Sequence, residues 1–170
     1  MGLFSFIKEA GEKLFGSAKP EEAVQQAQAA PDDAALQARA AEANRIAGEA
    51  IAQYIVAQGL TVEGLQVAFD GGPCEATVSG NAPDQATKEK VLLCAGNVQG
   101  VKGVNDDLTV TEAVEESRWH DVVRGDTLSA IAKTYYGNAN LYPKIFEANK
   151  PMLSHPDKIY VGQKLRIPPA

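Results

Sequence analysis

Residues 119–132 read WHDVVRGDTLSAIA, and this stretch decides the fold of the C-terminal part of the chain. Val122 is predicted to open a strand, and Gly125-Asp126 is predicted to turn the chain. Asp126 or Thr127 is predicted to cap the next helix, because a short polar side chain there accepts from the free N–H groups of the first turn. That helix is expected to direct four side chains inward: Leu128, Ile131, Ala132 and Tyr135.

The residues that follow predict a second helix and a second strand. The helix runs from about Leu141 to Asn149 and packs Ile145 and Phe146 inward. Gly162-Gln163 then turns the chain into a strand, Lys164–Ile167. The order strand, helix, helix, strand makes a small two-layer unit.

A second unit lies upstream and is predicted from changes in hydrophobic period. Its order is helix, hairpin of two strands, helix, strand, which favours an α+β sandwich with the helices on one face of a small sheet. The predicted elements are a helix at about 33–58, strands at 65–69 and 75–79, a helix at about 83–95, and a strand at about 101–111.

The N-terminal residues predict a short amphipathic helix, Leu3–Phe15, that ends at Gly16. Its apolar face would pack on the chain's own domain, or else on a membrane surface, although the balanced charge of its polar face does not favour a membrane. The apolar positions are Leu3, Phe4, Ile7, Ala10, Gly11, Leu14 and Phe15.

The next segment, 17–40, is rich in Ala and Gln and contains Pro20 and Pro31. It has almost no large apolar residue, so we expect it to build no core. It is therefore interpreted as a linker that becomes partly helical at its far end.

Charge is unevenly distributed along the chain. Residues 1–117 carry 8 Lys/Arg and 18 Asp/Glu, a net of −10, whereas residues 118–170 carry 8 and 4, a net of +4. The two parts should attract each other, either to dock within the chain or merely as modules with different partners. The overall acidic balance argues against a nucleic-acid partner.

The compartment is predicted from features that the sequence lacks. No secretory signal pattern precedes the first domain, and no apolar run approaches the 18 residues expected of a membrane span. A cytoplasmic protein without stable membrane insertion is therefore expected. In such a reducing compartment, Cys74 and Cys94 are expected to be buried free thiols.

Two longer sets of motifs each resemble a known domain family. The segment 75–80, the Lys/Glu-rich helix after it, and Gly100-Val101 with Val104 to Leu108 resemble the BON domain. The C-terminal part resembles the LysM domain over its whole length, through 119–132, Tyr136-Gly137, Ile145-Phe146, Ala148-Asn149 and 159–168. We therefore divide the chain into a helix at 1–16, a linker at 17–40, a BON domain at 41–112, a linker at 113–118 and a LysM domain at 119–170.

The combination of these domains with the N-terminal segment resembles a family of small bacterial cytoplasmic potassium-binding proteins. The resemblance implies a monomeric K⁺ sensor of the stress-response type, in which the ion compacts the BON and LysM domains. K⁺ prefers a cage of neutral oxygens, which backbone carbonyls supply. Our hypothesis is that five carbonyls surround the ion, with the negative end of a helix dipole beside them: Ile7, Ala10, Gly96, Val98 and Val101.

The resemblance of the C-terminal part to LysM domains also suggests a second function. In LysM domains generally, a groove between the loop at 125–127 and the loop at 151–160 holds N-acetylglucosamine glycans, so an envelope peptidoglycan-binding protein is the alternative. Its groove residues would be Gly125, Asp126, Thr127, Met152 and Ile159.

An enzyme is not expected, because Ser129, His120 and His155 form no recognisable catalytic arrangement. Asp106-Asp107 could suggest a divalent-cation site. The pair lacks the alternating oxygen spacing of a calcium loop, so a solvated pair at a strand edge is the preferred interpretation.

Overall fold

The computed structural model describes the backbone of residues 3–5 and the whole of residues 13–111 and 114–169. These residues form two lobes: the N-terminal lobe, up to Thr111, holds a four-stranded sheet, and the C-terminal lobe, from Val114, holds a two-stranded sheet. The predicted α+β class is confirmed. The elements are β1 Leu3–Ser5, α1 Pro20–Ala29, α2 Ala34–Ala57, β2 Glu63–Asp70, β3 Glu75–Ala82, α3 Gln85–Gly96, β4 Gly103–Val110, β5 Arg118–Asp121, α4 Leu128–Tyr136, a 3₁₀ turn Ala139–Leu141, α5 Tyr142–Ala148 and β6 Lys164–Ile167.

The sheet of the N-terminal lobe has the strand order β1-β4-β3-β2. β3 and β2 form the predicted antiparallel hairpin, whereas β3 and β4 run parallel and are joined through α3. Such a crossover is the usual way to connect parallel neighbours, because a tight turn cannot reverse the chain twice. The end of α3 and the turn into β4 are thereby placed at one edge of the sandwich.

Helices α2 and α3 cover one face of this sheet and enclose its core. Each begins where a capping aspartate was available: Asp33 Oδ1 accepts from the Ala35 N–H at 2.9 Å, and Asp84 Oδ1 accepts from the Thr87 N–H at 2.7 Å. The core is built from side chains of both helices and the sheet, among them Ile51, Ile55, Val78, Val91, Leu92, Val98, Val101 and Val104.

The prediction that residues 17–40 build no core was wrong. Helix α1 packs on the first half of α2, where Ala23 and Ala27 are buried against Ala40 and Ala43. Alanine adds little hydrophobic area, but it lets two helix backbones approach closely. The Gln37 side chain also donates to the Ala27 carbonyl at 2.9 Å and so ties the two helices together.

The predicted N-terminal helix was also wrong where the structure describes it. Leu3–Ser5 form strand β1, which pairs antiparallel with β4, and Lys13–Phe15 are not helical. Pairing satisfies backbone groups that the edge of β4 would otherwise expose, and this tertiary contact overrides the helical period. Residues 6–12 lie outside the described part of the chain.

The C-terminal lobe matches its predicted order, and its core is formed by Val122, Leu128, Ile131, Ile145, Leu165 and Ile167 with their neighbours. Thr127 is the cap of α4, since its hydroxyl accepts from the Ala130 N–H at 3.1 Å. Val122 does not open the first strand, which is β5, Arg118–Asp121, paired with β6. Instead, Val122 follows that strand and exchanges backbone hydrogen bonds with Gln163 and Gly162.

Candidate ion site and the contact between the lobes

Three of the five carbonyls predicted to hold the ion lie in one short segment, residues 96–101, which we call the carbonyl turn. It begins at the last residue of α3, and it is closed by a hydrogen bond from the Val101 N–H to the Val98 carbonyl at 3.1 Å. Gly96, Val98 and Val101 are therefore brought together by local structure. The other two predicted residues, Ile7 and Ala10, lie outside the described residues.

Hydrogen bonds of the carbonyl turn fix the direction of two of its carbonyls. A trans peptide holds its N–H and C=O antiparallel. The Asn97 N–H donates back into α3, to Leu93 at 3.0 Å and Cys94 at 3.2 Å, so the Gly96 carbonyl points out of the helix end. The Lys102 N–H donates to the Cys74 carbonyl at 2.8 Å, so the Val101 carbonyl points away from the hairpin.

The surroundings of the carbonyl turn suit a cation that has shed its water. Val98 and Val101 are fully buried, and Gly96 is buried at the end of a twelve-residue helix. The C-terminal end of a helix carries partial negative charge, and α3 has no basic residue in its last turn to offset it. The turn thus offers neutral oxygens in a negative potential.

Phe15 covers one side of the carbonyl turn. The ring of Phe15 lies against Gly100, whose added Cβ would stand 2.9 Å from the Phe15 Cε2 atom. The same ring packs on Phe69 with centroids 5.0 Å apart. A cavity of about 210 Å³ lies beside them, lined also by Cys74. Gly100 has a φ of +101°, so both its backbone and its neighbour require glycine.

The C-terminal lobe reaches the other side of the carbonyl turn. The Tyr160 hydroxyl donates to Asn97 Oδ1 at 3.0 Å. Met152, from the same long loop, packs against the core of the N-terminal lobe. One six-residue turn is therefore in contact with both the N-terminal segment and the C-terminal lobe.

A buried ion pair joins α3 of the N-terminal lobe to β6 of the C-terminal lobe. Glu89 is 3% exposed and Arg166 is 7% exposed. Arg166 Nε donates to Glu89 Oε2, and Glu89 Oε1 accepts from the Ser117 backbone N–H at 2.8 Å and from Gln85 at 2.9 Å. Both carboxylate oxygens are thus satisfied, which is what a buried charge requires.

Sequence reasoning missed Glu89, Arg166 and Tyr160. Side chains alternate between the two faces of a strand, so in β6 Leu165 and Ile167 point inward and Arg166 points to the opposite face. From the sequence that face is expected to be exposed to solvent, but in the structure α3 covers it. The one available signal was the opposite charge of the two parts of the chain. Charge balance indicated attraction, but it could not say which residues pair.

Acid should weaken this contact. Burial by itself would raise the pKa of Glu89, but the hydrogen bonds from Ser117, Gln85 and Arg166 outweigh burial and hold that pKa below its ordinary value of 4.5. A lowered pKa stabilises the fold above pH 4.5, and that stabilisation is lost as the pH falls through the lower, folded value.

We therefore predict that the free energy of unfolding of the wild type falls more steeply below pH 4.5 than that of a Glu89→Gln variant. Urea unfolding between pH 3 and pH 7 measures this difference. Parallel pH profiles for the two proteins would contradict the assignment.

The predicted glycan-groove residues are only partly brought together. A cavity of about 350 Å³ lies between the loop at Thr127 and the loop at 155–157, with Tyr142 on its wall. Met152 packs against the N-terminal lobe, and Ile159 packs against the core of its own lobe. Asp126 accepts from the Val123 N–H at 2.9 Å and bonds His120 at 2.8 Å, and these contacts lower the pKa of Asp126.

The two members of the acidic pair in β4 differ in their surroundings, since Asp106 is partly buried and Asp107 is exposed. Asp106 pairs with Lys88 at 2.9 Å and accepts from the Leu108 N–H, and Asp107 is exposed at the sheet surface. Within residues 13–111 and 114–169, three or more His, Cys, Asp or Glu side chains are nowhere grouped to hold a metal ion. Cys74 and Cys94 are both buried and are not in a disulfide, as predicted, and the Cys74 thiol donates to the Gly71 carbonyl at 3.4 Å.

Two domain-family models match the parts of the chain that form the two lobes. The BON domain model matches residues 44–112, and the LysM domain model matches residues 120–168. The potassium binding protein Kbp of Escherichia coli is 41% identical over 169 residues, which cover 99% of each chain. The chain belongs to the Kbp family.

Two further relatives of this Kbp family member share only part of its length. An uncharacterized protein of Deinococcus radiodurans is 41% identical over 85 residues, 44% of this chain and 33% of the other. The esterase MT1326 of Mycobacterium tuberculosis is 47% identical over 49 residues, one tenth of the esterase. The E. coli relative, which spans nearly the whole chain, is a binding protein by name. Across the described residues, helices long and apolar enough to cross a membrane are absent.

Proposed function

We propose that this protein binds K⁺ and that the carbonyls of Gly96, Val98 and Val101 contribute to the site. The observation that carries the proposal is the buried end of α3, where carbonyls leave the helix without a basic side chain nearby in its last turn. Neutral carbonyl oxygens suit a monovalent cation, because they add no full charge that would favour a divalent one. The name of the E. coli relative supports the same ligand.

The carbonyls of Ile7 and Ala10 complete the proposed cage. Phe15 supports this part of the proposal, because its ring lies against Gly100 and it follows Ala10 by five residues in the sequence. The cage then joins the N-terminal segment, the carbonyl turn and, through Asn97, the C-terminal lobe. Ion binding would in this way draw the BON and LysM domains together, in a monomeric cytoplasmic sensor without catalytic activity.

Calorimetric titration with KCl and with NaCl tests the proposal on the full chain. We expect heat of binding with KCl that NaCl does not reproduce. Absence of heat, or equal heat for the two salts, would overturn the proposal.

A Gly100→Ala variant locates the site. Alanine at a φ of +101°, against the Phe15 ring, should displace the carbonyl turn, weaken K⁺ binding at least about tenfold and lower the free energy of unfolding by about 1–3 kcal/mol. Gly125→Ala is the matched control, since Gly125 has a φ of +95° but nothing within 4 Å of its added Cβ. It should lose similar stability and keep the affinity for K⁺. Equal loss of affinity in both variants would place the ion elsewhere.

The alternative function is glycan binding by the C-terminal lobe. It is favoured by the cavity of about 350 Å³ beside Thr127, where the exposed ring of Tyr142 could stack on a sugar. A pull-down on peptidoglycan tests it, with Tyr142→Ala as the variant that should release the protein.

A further inference from the structure

Two contacts of the C-terminal lobe, one with α3 and one with the turn that follows it, have different properties. The first is the buried pair of Glu89 and Arg166. The second is the hydrogen bond between Asn97 and Tyr160, where Tyr160 is 39% exposed. Glu89 precedes Gly96 by two helical turns, about 10 Å along the axis. The first contact is fixed by burial, whereas the second can form and break in contact with water.

The second contact acts on the carbonyl turn itself. Asn97 shares one peptide plane with the Gly96 carbonyl and directly precedes Val98. Its backbone N–H is bonded into α3, and its side-chain oxygen accepts the Tyr160 hydroxyl proton. A change in the orientation of the Gly96 or Val98 peptide therefore moves the acceptor that Tyr160 binds.

We propose that Tyr160 is a positioning residue that couples ion binding at the carbonyl turn to the placement of the C-terminal lobe. The inference rests on the proposed K⁺ function. The Tyr160–Asn97 bond is made preferentially when the turn adopts its ion-binding arrangement. By reciprocity, the bond then favours ion binding to the same extent that ion binding favours the bond.

A Tyr160→Phe variant of the full chain removes the hydroxyl and keeps the ring. Because a single hydrogen bond contributes modestly, the dissociation constant for K⁺ should rise about two- to tenfold. Tyr142→Phe is the matched control, since it removes a hydroxyl from a tyrosine of the same lobe that is similarly exposed but lines the cavity beside Thr127. It should bind K⁺ as the wild type does.

Amide hydrogen exchange gives a readout that a merely structural role would not change. In the wild type, K⁺ should slow exchange both at 98–101 and at 160–163. In Tyr160→Phe, K⁺ should still protect 98–101 but no longer 160–163. In an Asn97→Ala background, Tyr160→Phe should change the affinity less than it does in the wild type.

The outcomes separate the two proposals. A wild type that shows no K⁺-specific heat overturns the proposed function and this inference with it. A wild type that binds K⁺, together with unchanged affinity and unchanged protection in Tyr160→Phe, overturns the coupling alone. Independent effects of the two substitutions, or the same loss in Tyr142→Phe, also overturn it.

Discussion

Replacing Arg166 with alanine is expected to lower the free energy of unfolding by about 3–5 kcal/mol, the largest effect of any single substitution considered. The substitution leaves the Glu89 carboxylate buried, with Gln85 and the Ser117 N–H as remaining donors and no compensating charge. It also removes the arginine stem that fills the space between α3 and β6. Urea denaturation at pH 7 measures the loss.

Two controls show whether the loss comes from the buried charge. Arg45→Ala breaks exposed ion pairs with Glu42 and Glu49 and should change stability by less than about 1 kcal/mol. The double variant Glu89→Leu with Arg166→Met removes both charges and should be more stable than Arg166→Ala, although the Ser117 N–H and Gln85 lose their acceptor. If Arg166→Ala costs no more than Arg45→Ala, the buried pair does not hold the lobes together.

Gly48→Ala is the second substitution for which we expect a large loss of stability. The sign of the change in the free energy of unfolding shows whether α2 lies as close to β2 as the structure places it. At an exposed position inside a helix this change stabilises by about 1 kcal/mol. Gly48, however, faces strand β2, and its added Cβ would stand 2.4 Å from the Val67 carbonyl oxygen. Because the obstructing atom is backbone, α2 must move away from the sheet. We expect a loss of about 3 kcal/mol, at the upper end for overpacking.

Thermal and urea unfolding of Gly48→Ala measure this loss, with Ala41→Gly as the control for helix propensity. Ala41 is exposed on the same helix, so the control should lose only about 1 kcal/mol. A Gly48→Ala variant as stable as the wild type would mean that α2 does not approach β2 as closely as the structure places it.

The elements that local rules specify were predicted to within a few residues. Helix α2 begins after its capping Asp33 and spans Ala34–Ala57 where about 33–58 was predicted, and β6 coincides with the predicted strand. Caps, turns and hydrophobic periods act between residues that are close in sequence, so they are visible before folding. The three predicted carbonyls of the turn belong to this class, since a helix end and a glycine place them.

The errors have a common physical cause. Leu3–Ser5 have a helical period but form a strand, because the edge of β4 offers backbone partners that no nearby residue could. The segment 17–40 has few large apolar residues but forms α1, because the alanines of α2 allow the two helices to pack closely. In both cases a surface made by residues distant in sequence decides the outcome.

Residues 119–132 illustrate what contacts between near neighbours in the sequence can and cannot specify. By itself the sequence determined the two domains, the order of elements in the C-terminal lobe, and the end of α3 near Gly96, and it narrowed the cap of α4 to Asp126 or Thr127. Only the tertiary structure decided that Arg166 is buried against Glu89 and that Tyr160 meets Asn97. Those contacts join residues more than sixty positions apart, and the pattern of one strand or one loop cannot reveal which surface will cover it.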